Sequence, residues 1–315
     1  MINKKVGIIL VNYNGAKDTI ECLNSLHTVN YLNKLIYVVD NNSNKDDVDY
    51  LEKKINFPEV RIIKLKENIG FSGGNNVGIK EAIADGCEVI GLLNNDTIVE
   101  TDFLNQLVVK LFSDKRVGAV IPQIRDYYNK NIVSYGGGEI NYLKGSVFIE
   151  GINRYEDSIN NTERFVTFGH GCCLFMKKEV ISKVGLLPEE YFLYFEDADY
   201  SIQIGKSGYK IMYCPNSVIY HKQSASTKKG SDNFQYYFTR NRFYFIKKNF
   251  KLLSKLTAYP ISVLYLIKKM ILKEFEFKNV KVGLIDFFRK RTGKRDKWHI
   301  WSNFDFISII IYNEL

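Results

Sequence analysis

Short apolar runs that stop abruptly at small polar residues are the feature that most constrains the fold of this chain. The central example is Val89–Leu93, an uncharged run of strand length that is followed at once by Asn94, Asn95, Asp96 and Thr97. Such a run is typical of a strand buried on both faces, and small polar residues suit the turn at its end. The pattern predicts a buried strand whose carboxyl end carries side chains able to meet a ligand.

The same pattern repeats along the first hundred residues, with a helix after each strand. Strands are predicted at residues 5–11, 35–39 and 60–65, and helices at residues 16–27, 46–54 and up to Ala84. Strands that alternate with helices of this length form a parallel sheet with right-handed crossovers. The sequence therefore predicts an α/β, Rossmann-like fold with a mostly parallel sheet flanked by helices. At one edge of that sheet we expect Asp40, Asn68 and Asp96 to converge.

Asp96 and Asp40 are the first candidates for chemistry at that edge. A divalent cation that bridges the Asp96 carboxylate to a diphosphate is the simplest use of this hard oxygen ligand. The alternative is that residues 94–97 only turn the chain and cap a helix that starts near Thr101. Asp40 can accept the imino N–H of a uracil or thymine ring, beside backbone groups near Asn12, or it can simply close an Asx turn.

A glycine-rich segment, residues 68–76, is predicted as a loop that leads into the helix ending near Ala84. Its glycines, which include Gly70 and Gly74, allow a ligand to approach the backbone closely. The segment matches neither the Rossmann fingerprint nor a P-loop, since no Gly-Lys-Ser/Thr follows it. By itself it is a weak indication of a phosphate site.

A second chemical stretch joins an aromatic run, residues 191–195, to three acids, Glu196, Asp197 and Asp199. The helix dipole favours acids in the first turn of a helix, and capping explains one or two of them. Capping does not explain the aromatic flank. An aromatic wall beside a carboxylate suits a partly desolvated, sugar-lined pocket with a general base.

Two histidines border predicted strands. His221 ends a strand at residues 218–220 and is a candidate metal or phosphate ligand, although a lone histidine is more often structural. His170 begins the strand segment 169–176, where a structural role is the first interpretation and contact with an acceptor the second. Residues 127–168 are predicted to form a hairpin-bearing insertion that flanks the site and contacts substrate.

Positive charge is concentrated in the last third of the chain. Of the net charge of +9, residues 228–315 hold 19 Lys and Arg against 7 Asp and Glu, whereas the remainder holds 25 against 28. The apolar run at residues 256–267 is too short to span a membrane, which takes about 20 residues. It suits a helix lying in a membrane interface or one packed on the catalytic domain, and Trp298 and Trp301 suit an interfacial aromatic belt. We therefore predict a basic helical extension, residues 226–315, whose partner is an anionic surface, either lipid or nucleic acid.

The five cysteines show no metal-type spacing, and the first residues do not read as a signal peptide. A reducing, cytoplasmic location with free thiols is the expectation.

Six segments, taken in order, resemble the family 2 inverting nucleotide-sugar glycosyltransferases, especially their bacterial rhamnosyltransferase-like group. The segments are residues 11–14, 38–43, 68–76, 92–96, 192–199 and 218–221. The resemblance implies a GT-A catalytic domain at residues 1–225, with a nucleotide-sugar half at about 1–100 and an acceptor half at about 101–225. It also implies a UDP- or dTDP-sugar donor and a bound Mn²⁺ or Mg²⁺ ion.

The resemblance further implies a role for each site residue. Asp197 would be the general base, and Asp96 the metal ligand with help from His221. The donor would be bound by Asn12, Asn14, Asp40, Asn68, Gly70, Gly74, Asn75 and Asn95, and the acceptor would meet Glu196 and His170. The chain departs from the family pattern at two positions: Asn94 occupies the first place of the Asp-x-Asp-type motif, and Gln203 stands where many relatives have arginine.

The hypothesis from sequence is an inverting, metal-dependent glycosyltransferase that moves a sugar to a hydroxyl of a glycan or lipid-linked acceptor. Its setting would be synthesis of a cell-surface polysaccharide, such as capsule or O-antigen, at the inner face of the cell membrane. A sugar-nucleotide pyrophosphorylase shares the sheet type, but its glycine-rich N-terminal signature is absent. The alternative is a basic nucleic-acid- or membrane-binding protein on a catalytically inactive nucleotide-binding fold, which leaves Asp40, Asp96 and Asp197 without a use.

Overall fold

The computed structural model describes residues 3–159, 161–223 and 230–295, so the predicted aromatic belt at Trp298 and Trp301 lies outside the described residues. The described part forms an 11-stranded mixed sheet flanked by helices, together with a two-stranded ribbon. The strands are β1 Val6–Asn12, β2 Lys34–Asp40, β3 Val60–Lys64, β4 Val89–Leu93, β5 Thr97–Val99, β6 Val117–Asp126, β7 Ile132–Tyr135, β8 Gly138–Asn141, β9 Ser146–Ile149, β10 Arg154–Tyr155, β11 Arg164–Val166, β12 Cys173–Lys177 and β13 Lys210–His221. The helices are α1 Ala16–His27, α2 Lys45–Lys54, α3 Gly70–Ala84, α4 Phe103–Leu111, α5 Lys178–Val184, α6 Glu196–Lys206, α7 Asp232–Asn249, α8 Leu252–Ile271 and α9 Phe277–Phe288.

The first hundred residues build the parallel part of the sheet, in the order β4-β1-β2-β3. β4 is buried along its whole length, as its uncharged sequence predicts. Because these strands run parallel, their carboxyl ends share one edge, where Asn12 lies opposite Asp40 and Asp40 opposite Lys64. The predicted α/β fold with a mostly parallel sheet is confirmed.

The second half of the catalytic region extends the sheet with strands of both directions. β12 runs antiparallel to β4 and β6, and β13 runs parallel to β6 but antiparallel to β5. Cys173 lies opposite Leu93, and His221 lies opposite Thr97. The turn before β12 and the end of β13 are thereby brought to the edge that carries Asp96.

Two local predictions were wrong. Helix α3 already begins at Gly70, so most of the predicted loop at residues 68–76 is helical. A Cβ on Gly74 would lie 2.9 Å from Val11, and one on Gly78 would lie 2.6 Å from Ile9. These glycines let α3 pack closely on β1, and this packing outweighs the low helix propensity of glycine. The second miss is β5, a short strand in the region predicted to lead straight into a helix.

The predicted helical extension consists, in the described residues, of α7, α8 and α9. Helix α7 is largely buried and contacts α6, α8 and α9. A separate apolar cluster joins the three helices through Phe243, Leu266, Phe275 and Val280. In the described part of the chain, none of the helices is both long and apolar enough to cross a membrane.

Candidate active site

Asn12 organises the part of the edge where the base-binding carboxylate was predicted. Its side-chain nitrogen donates to Asp40 Oδ1 at 3.0 Å and to Asp47 Oδ2 at 2.7 Å. Its Oδ1 accepts the Thr19 hydroxyl at 2.9 Å. Asp40 Oδ2 accepts the Ser43 backbone N–H at 3.1 Å. The Asp40 carboxylate is therefore held in one orientation at the strand end by donors from two strand termini.

The other residues predicted to bind the donor are tied into the same edge. Asn95 donates to Thr19 at 2.8 Å, Asn14 accepts from the Asn44 N–H at 2.8 Å, Asn75 donates to the Phe71 carbonyl at 2.9 Å, and Asn68 accepts from the Gly70 N–H at 2.9 Å. Asn95 and Asn14 join separate segments of the edge, whereas the bonds of Asn68 and Asn75 are local to the start of α3. Their contacts with a donor stay predictions.

Asn41 was not singled out by the sequence analysis, yet it links the ends of β2 and β3 to α3. Its Nδ2 donates to the Gly70 carbonyl at 3.1 Å and to Asn68 Oδ1 at 3.2 Å, and its Oδ1 accepts the Ile69 N–H at 3.0 Å. The signal was present, since Asn41 directly follows Asp40 at a predicted strand end.

Asp96 and His221, the predicted metal ligands, are adjacent although 125 residues separate them in the chain. His221 Nε2 lies 3.1 Å from Asp96 Oδ1 and 3.4 Å from Asn94 Nδ2. Among the described residues, no cluster of three or more His, Cys, Asp or Glu side chains forms a closed metal cage. One carboxylate and one imidazole fit Mn²⁺ or Mg²⁺ when a diphosphate and water complete the coordination.

Asp197, the predicted general base, is anchored to the turn that precedes β12. Its Oδ2 accepts the Gly171 N–H at 3.0 Å, and its Oδ1 accepts its neighbour's N–H, that of Ala198, at 2.8 Å. Burial raises the pKa of the Asp197 carboxyl, and the two N–H groups oppose that rise. Gly171 was missed by sequence reasoning, because a backbone donor leaves no signature in the residue type.

Glu196 and His170 are the predicted acceptor contacts. Glu196 directly precedes Asp197 in the chain, and His170 directly precedes Gly171. Burial, and then the charge of Asp197, raise the pKa of Glu196 to about 8. Burial, and then the charge of His221, lower the pKa of His170 to about 4. His170 Nδ1 accepts the Cys172 N–H at 3.0 Å, so the neutral ring carries its proton on Nε2. Both shifts favour the uncharged form of the side chain, in which Glu196 and His170 each carry one donor.

One backbone hydrogen bond connects the two halves of the site. The Asn94 N–H donates to the Cys172 carbonyl at 2.8 Å, which joins the turn bearing Asp96 to the turn that anchors Asp197. Both turns stand at the edge where Asp40 ends β2. The structure thus assembles carboxylates from three distant segments at one edge of the sheet.

The third acid of the aromatic-acidic segment has a different environment. Asp199 is fully buried, with Oδ1 accepting from Gln203 at 3.0 Å and Oδ2 2.6 Å from Lys248 Nζ. Gln203 also donates to Asn249 at 3.1 Å. Gln203 thus ties α6 to the end of α7.

A family comparison decides the identity of this arrangement. The family model described as "Glycosyl transferase family 2" matches residues 7–185, which is more than half of the chain. The chain belongs to glycosyl transferase family 2. As a family 2 glycosyltransferase it is similar to the low-salt glycan biosynthesis hexosyltransferase Agl10 of Haloferax volcanii, at 21% identity over 93% of this chain and 94% of that protein. It is also similar to the dTDP-rhamnosyl transferase RfbF of Shigella flexneri, at 26% identity over 79% of this chain and 82% of that protein, which supports the rhamnosyltransferase-like group.

Solved structures agree with the fold. The mannosyltransferase PcManGT of Pyrobaculum calidifontis, solved with GDP-Man and Mn²⁺, superposes with a TM-score of 0.59 at 16% identity, over 92% of this chain and 89% of that one. GalNAc-T7, solved with UDP, GalNAc and Mn²⁺, gives a TM-score of 0.55 at 17% identity, over 75% of this chain and 48% of that one. At these identities the likeness shows the GT-A fold of this glycosyltransferase and nothing finer.

Proposed function

We propose that this glycosyltransferase moves a sugar from a UDP- or dTDP-sugar to a hydroxyl of a glycan or lipid-linked acceptor, with inversion at the anomeric carbon. The observation that carries the proposal is the meeting, at one sheet edge, of the Asp96–His221 pair and the Asp197 carboxylate. The functions of the two relatives, low-salt glycan biosynthesis and dTDP-rhamnosyl transfer, support a role in cell-surface polysaccharide synthesis.

Binding of the donor begins at Asp40. Asn12 and the Ser43 N–H each donate to one oxygen of the Asp40 carboxylate. The lone pairs that these donors leave free suit the imino N–H of a pyrimidine base. The diphosphate would then extend toward Asp96 along the edge. Asp96 and His221 would hold a divalent cation, which supplies charge that offsets the negative charge developing on the departing nucleoside diphosphate.

Asp197 acts as the general base of a single displacement. Its carboxylate takes the proton of the acceptor hydroxyl while that oxygen attacks the anomeric carbon and the bond to the diphosphate breaks. The Gly171 N–H fixes the orientation of the carboxylate and favours its ionised form. Glu196 and His170, whose uncharged forms are favoured by burial, serve as hydrogen-bond donors to the acceptor sugar without repelling the base.

A thermal-shift panel tests this function on the full chain. UDP-glucose, UDP-galactose, UDP-N-acetylglucosamine and dTDP-rhamnose are each added with Mn²⁺, because a bound donor stabilises the fold by mass action. We expect one of them to raise the Tm and to release its nucleoside diphosphate. Asp197→Asn should keep the Tm shift and lose the release, whereas Asp96→Ala should lose the dependence of the release on Mn²⁺. No shift with any donor, or normal release by Asp197→Asn, would refute the proposal.

The outer surface of α8 supports contact with a membrane. Its solvent-facing apolar side chains are spaced one, three, four or seven residues apart, as on one face of a helix, and are 41% to 79% exposed. They are Leu252, Leu253, Leu256, Val263, Leu264, Ile267 and Ile271. We call these residues the α8 stripe. A contiguous exposed apolar surface of this kind marks an interaction site.

The composition of α8 favours a lipid partner over a nucleic acid. The helix contains lysines at positions 255, 268 and 269, a fourth lysine at position 251 caps it, and it has no acidic residue. Lysines beside exposed leucines suit an anionic lipid surface, which offers both headgroup phosphate and hydrocarbon. A nucleic acid offers phosphate, sugar and bases, but no hydrocarbon layer to take up exposed leucines. The proposed site of action is therefore the cytoplasmic face of a membrane, where a lipid-linked acceptor is presented.

A further inference from the structure

The backbone just before the proposed base is held in a conformation that non-glycine residues rarely adopt. Phe192, Tyr194 and Phe195 have φ angles of 64°, 68° and 72°, in the region where an L side chain crowds its own backbone. Helix α6 begins at the next residue, Glu196, and Asp197 follows it. The direction of the Asp197 carboxylate thus depends on a turn that persists only if its surroundings hold it.

Asn241 of α7 is the side chain that holds this turn. It is 1% exposed, and its Nδ2 lies 2.8 Å from the Tyr191 carbonyl oxygen, 2.7 Å from that of Leu193 and 3.1 Å from that of Tyr194. Two amide hydrogens are therefore shared among three carbonyl oxygens of the turn. One buried side chain thereby fixes the peptide before Phe192 and the peptides on both sides of Tyr194.

Arg240 orients that amide. Its Nε donates to Asn241 Oδ1 at 2.9 Å, so the nitrogen of the amide must face the turn. Its Nη2 donates to the Tyr191 carbonyl at 3.0 Å, and its Nη1 to the Gly293 carbonyl at 2.8 Å. Arg240 and Asn241 form a clamp that joins the catalytic domain to both ends of the extension.

The side chains of the strained residues also pack on α7. The Phe192 ring stacks on Tyr237 with ring centroids 5.2 Å apart. The Phe195 ring contacts Phe238 at 5.4 Å and Phe245 at 5.5 Å. The aromatic run at residues 191–195 therefore meets the extension, and its aromatic character is explained by this contact.

On its other side the turn meets the start of α3. The Phe71 N–H donates to the Phe192 carbonyl at 2.9 Å. A Cβ on Gly70 would lie 2.4 Å from that carbonyl oxygen, and Gly70 has a φ of +80°. Only glycine fits at this approach. The turn lies between the nucleotide-sugar half of the domain and α7.

We propose that Asn241 is a positioning residue for the transfer reaction, acting through the turn at residues 191–195 to direct the Asp197 carboxylate. Helix α7 is in this view a part of the catalytic unit, in addition to being the base of the membrane-facing helix. The inference rests on the proposed role of Asp197 as general base.

Two substitutions on the full chain, with a matched control, test the clamp. Asn241→Asp keeps the shape of the side chain but turns an oxygen toward the three carbonyl oxygens, and Asn241→Ala removes the amide. The control is Asn279→Ala in α9, since Asn279 is also 1% exposed and donates to Asp232 and Gln235 within the extension. Each protein is assayed with the nucleotide sugar that responds in the thermal-shift panel, by release of nucleoside diphosphate.

We expect both Asn241 variants to lose on the order of 100-fold in kcat, the effect of a misplaced catalytic group, with KM for the donor within about twofold of the parent. The acid limb of the pH–rate profile should move to higher pH, because a misdirected Asp197 loses the Gly171 N–H that lowers its pKa. Glu196 and Tyr135 are titratable groups that also interact with the Asp197 charge. Asn279→Ala should lower the Tm and leave kcat and the profile unchanged. A purely structural role for Asn241 would move the Tm alone.

The clamp is refuted if the Asn241 variants keep kcat and the pH profile, or if Asn279→Ala loses as much turnover. Loss of the folded state in both Asn241 variants but not in Asn279→Ala would assign Asn241 to overall stability and equally refute it. Should the parent act on no nucleotide sugar, the proposed function fails separately. In that case hydrogen exchange tests whether Asn241 holds the turn. Asn241→Asp must then increase the exchange rate of the amides of residues 192–197 more than that of the amides of α9.

Discussion

Helices α7 and α8 are neighbours in one extension, yet α7 buries polar side chains whereas α8 exposes apolar ones. In α7, Arg240, Asn241 and Arg242 are 1% to 3% exposed. In α8, leucines at positions 252, 253, 256 and 264 are 64% to 79% exposed. Polar groups inside and apolar groups outside reverse the usual arrangement of a globular surface. The difference indicates that α7 serves the catalytic domain and α8 serves a partner.

The burial of α7's polar groups is explained by what they meet. Arg242 donates to the Lys144 carbonyl at 2.7 Å and to Ser262 at 2.9 Å, so it ties α7 to the β8–β9 hairpin and to α8. Burial lowers the pKa of Arg242 to about 10, which still leaves it charged at neutral pH. Backbone carbonyls at turns need donors when they are buried. The basic residues of α7 supply these donors, whereas those of α8 lie beside the exposed stripe.

The largest effect that would sharpen the contrast is on folding stability. Arg240→Ala should lower the free energy of unfolding by roughly 3 kcal/mol, because buried carbonyls lose charged donors and a cavity is left. Lys268→Ala, on the exposed side of α8, should change it by less than about 0.5 kcal/mol. Urea unfolding measures both. Equal losses in the two variants would show that the helices do not differ in this way.

A second test concerns membrane binding. Leu256→Ser combined with Leu264→Ser should weaken binding to phosphatidylglycerol vesicles by about 30-fold, since each leucine contributes roughly 1 kcal/mol when it is partly immersed. Unfolding in the absence of vesicles should be nearly unchanged. Leu32→Ser is the matched control, because Leu32 is 92% exposed on the catalytic domain. Cosedimentation that falls equally with the control would exclude the α8 stripe as the contact.

A change of pH should lower the turnover rate and leave vesicle binding unchanged, with a smaller effect than the substitutions above. Burial raises the pKa of Asp197, and the base works only when ionised, so turnover falls as the pH drops through the raised value. The midpoint should lie above the ordinary aspartate value of about 3.9, with a tenfold loss for each further pH unit below it. Vesicle binding through leucines and lysines should stay constant over the same interval. A pH–rate profile flat to below pH 4 would contradict the environment assigned to Asp197.

The smallest expected effect is that of salt. Raising the ionic strength from about 0.05 to 0.5 M should weaken vesicle binding several-fold, because screening reduces the attraction between lysines and anionic lipid. The buried contacts of α7 should be insensitive to the same change, as a constant urea midpoint would show. A binding constant that does not respond to salt would leave the leucines as the whole of the interaction.

The contacts of the site show where sequence reasoning reached its limit. Asp96, Asp197 and His221 were singled out because each sits where an apolar or aromatic run meets polar residues, a local pattern, and their roles stay predictions. Gly171 was missed because its effect depends on a backbone N–H. Asn241 was missed because its effect depends on a turn that lies 47 to 50 residues earlier in the chain. The glycine-rich segment was read as a loop because propensity alone cannot anticipate packing of α3 against Val11 and Ile9.

The order of strands and helices, the parallel sheet and the edge that collects Asp40 and Asp96 were determined by the sequence itself. Hydrophobic periodicity and turn chemistry act over a few residues, and the pairing of parallel strands follows from them. Only the tertiary structure decided that the aromatic run before Asp197 packs on α7, and that α8 turns its leucines outward. Both depend on which surfaces meet across long stretches of chain, and side-chain contacts of that kind have no local signature.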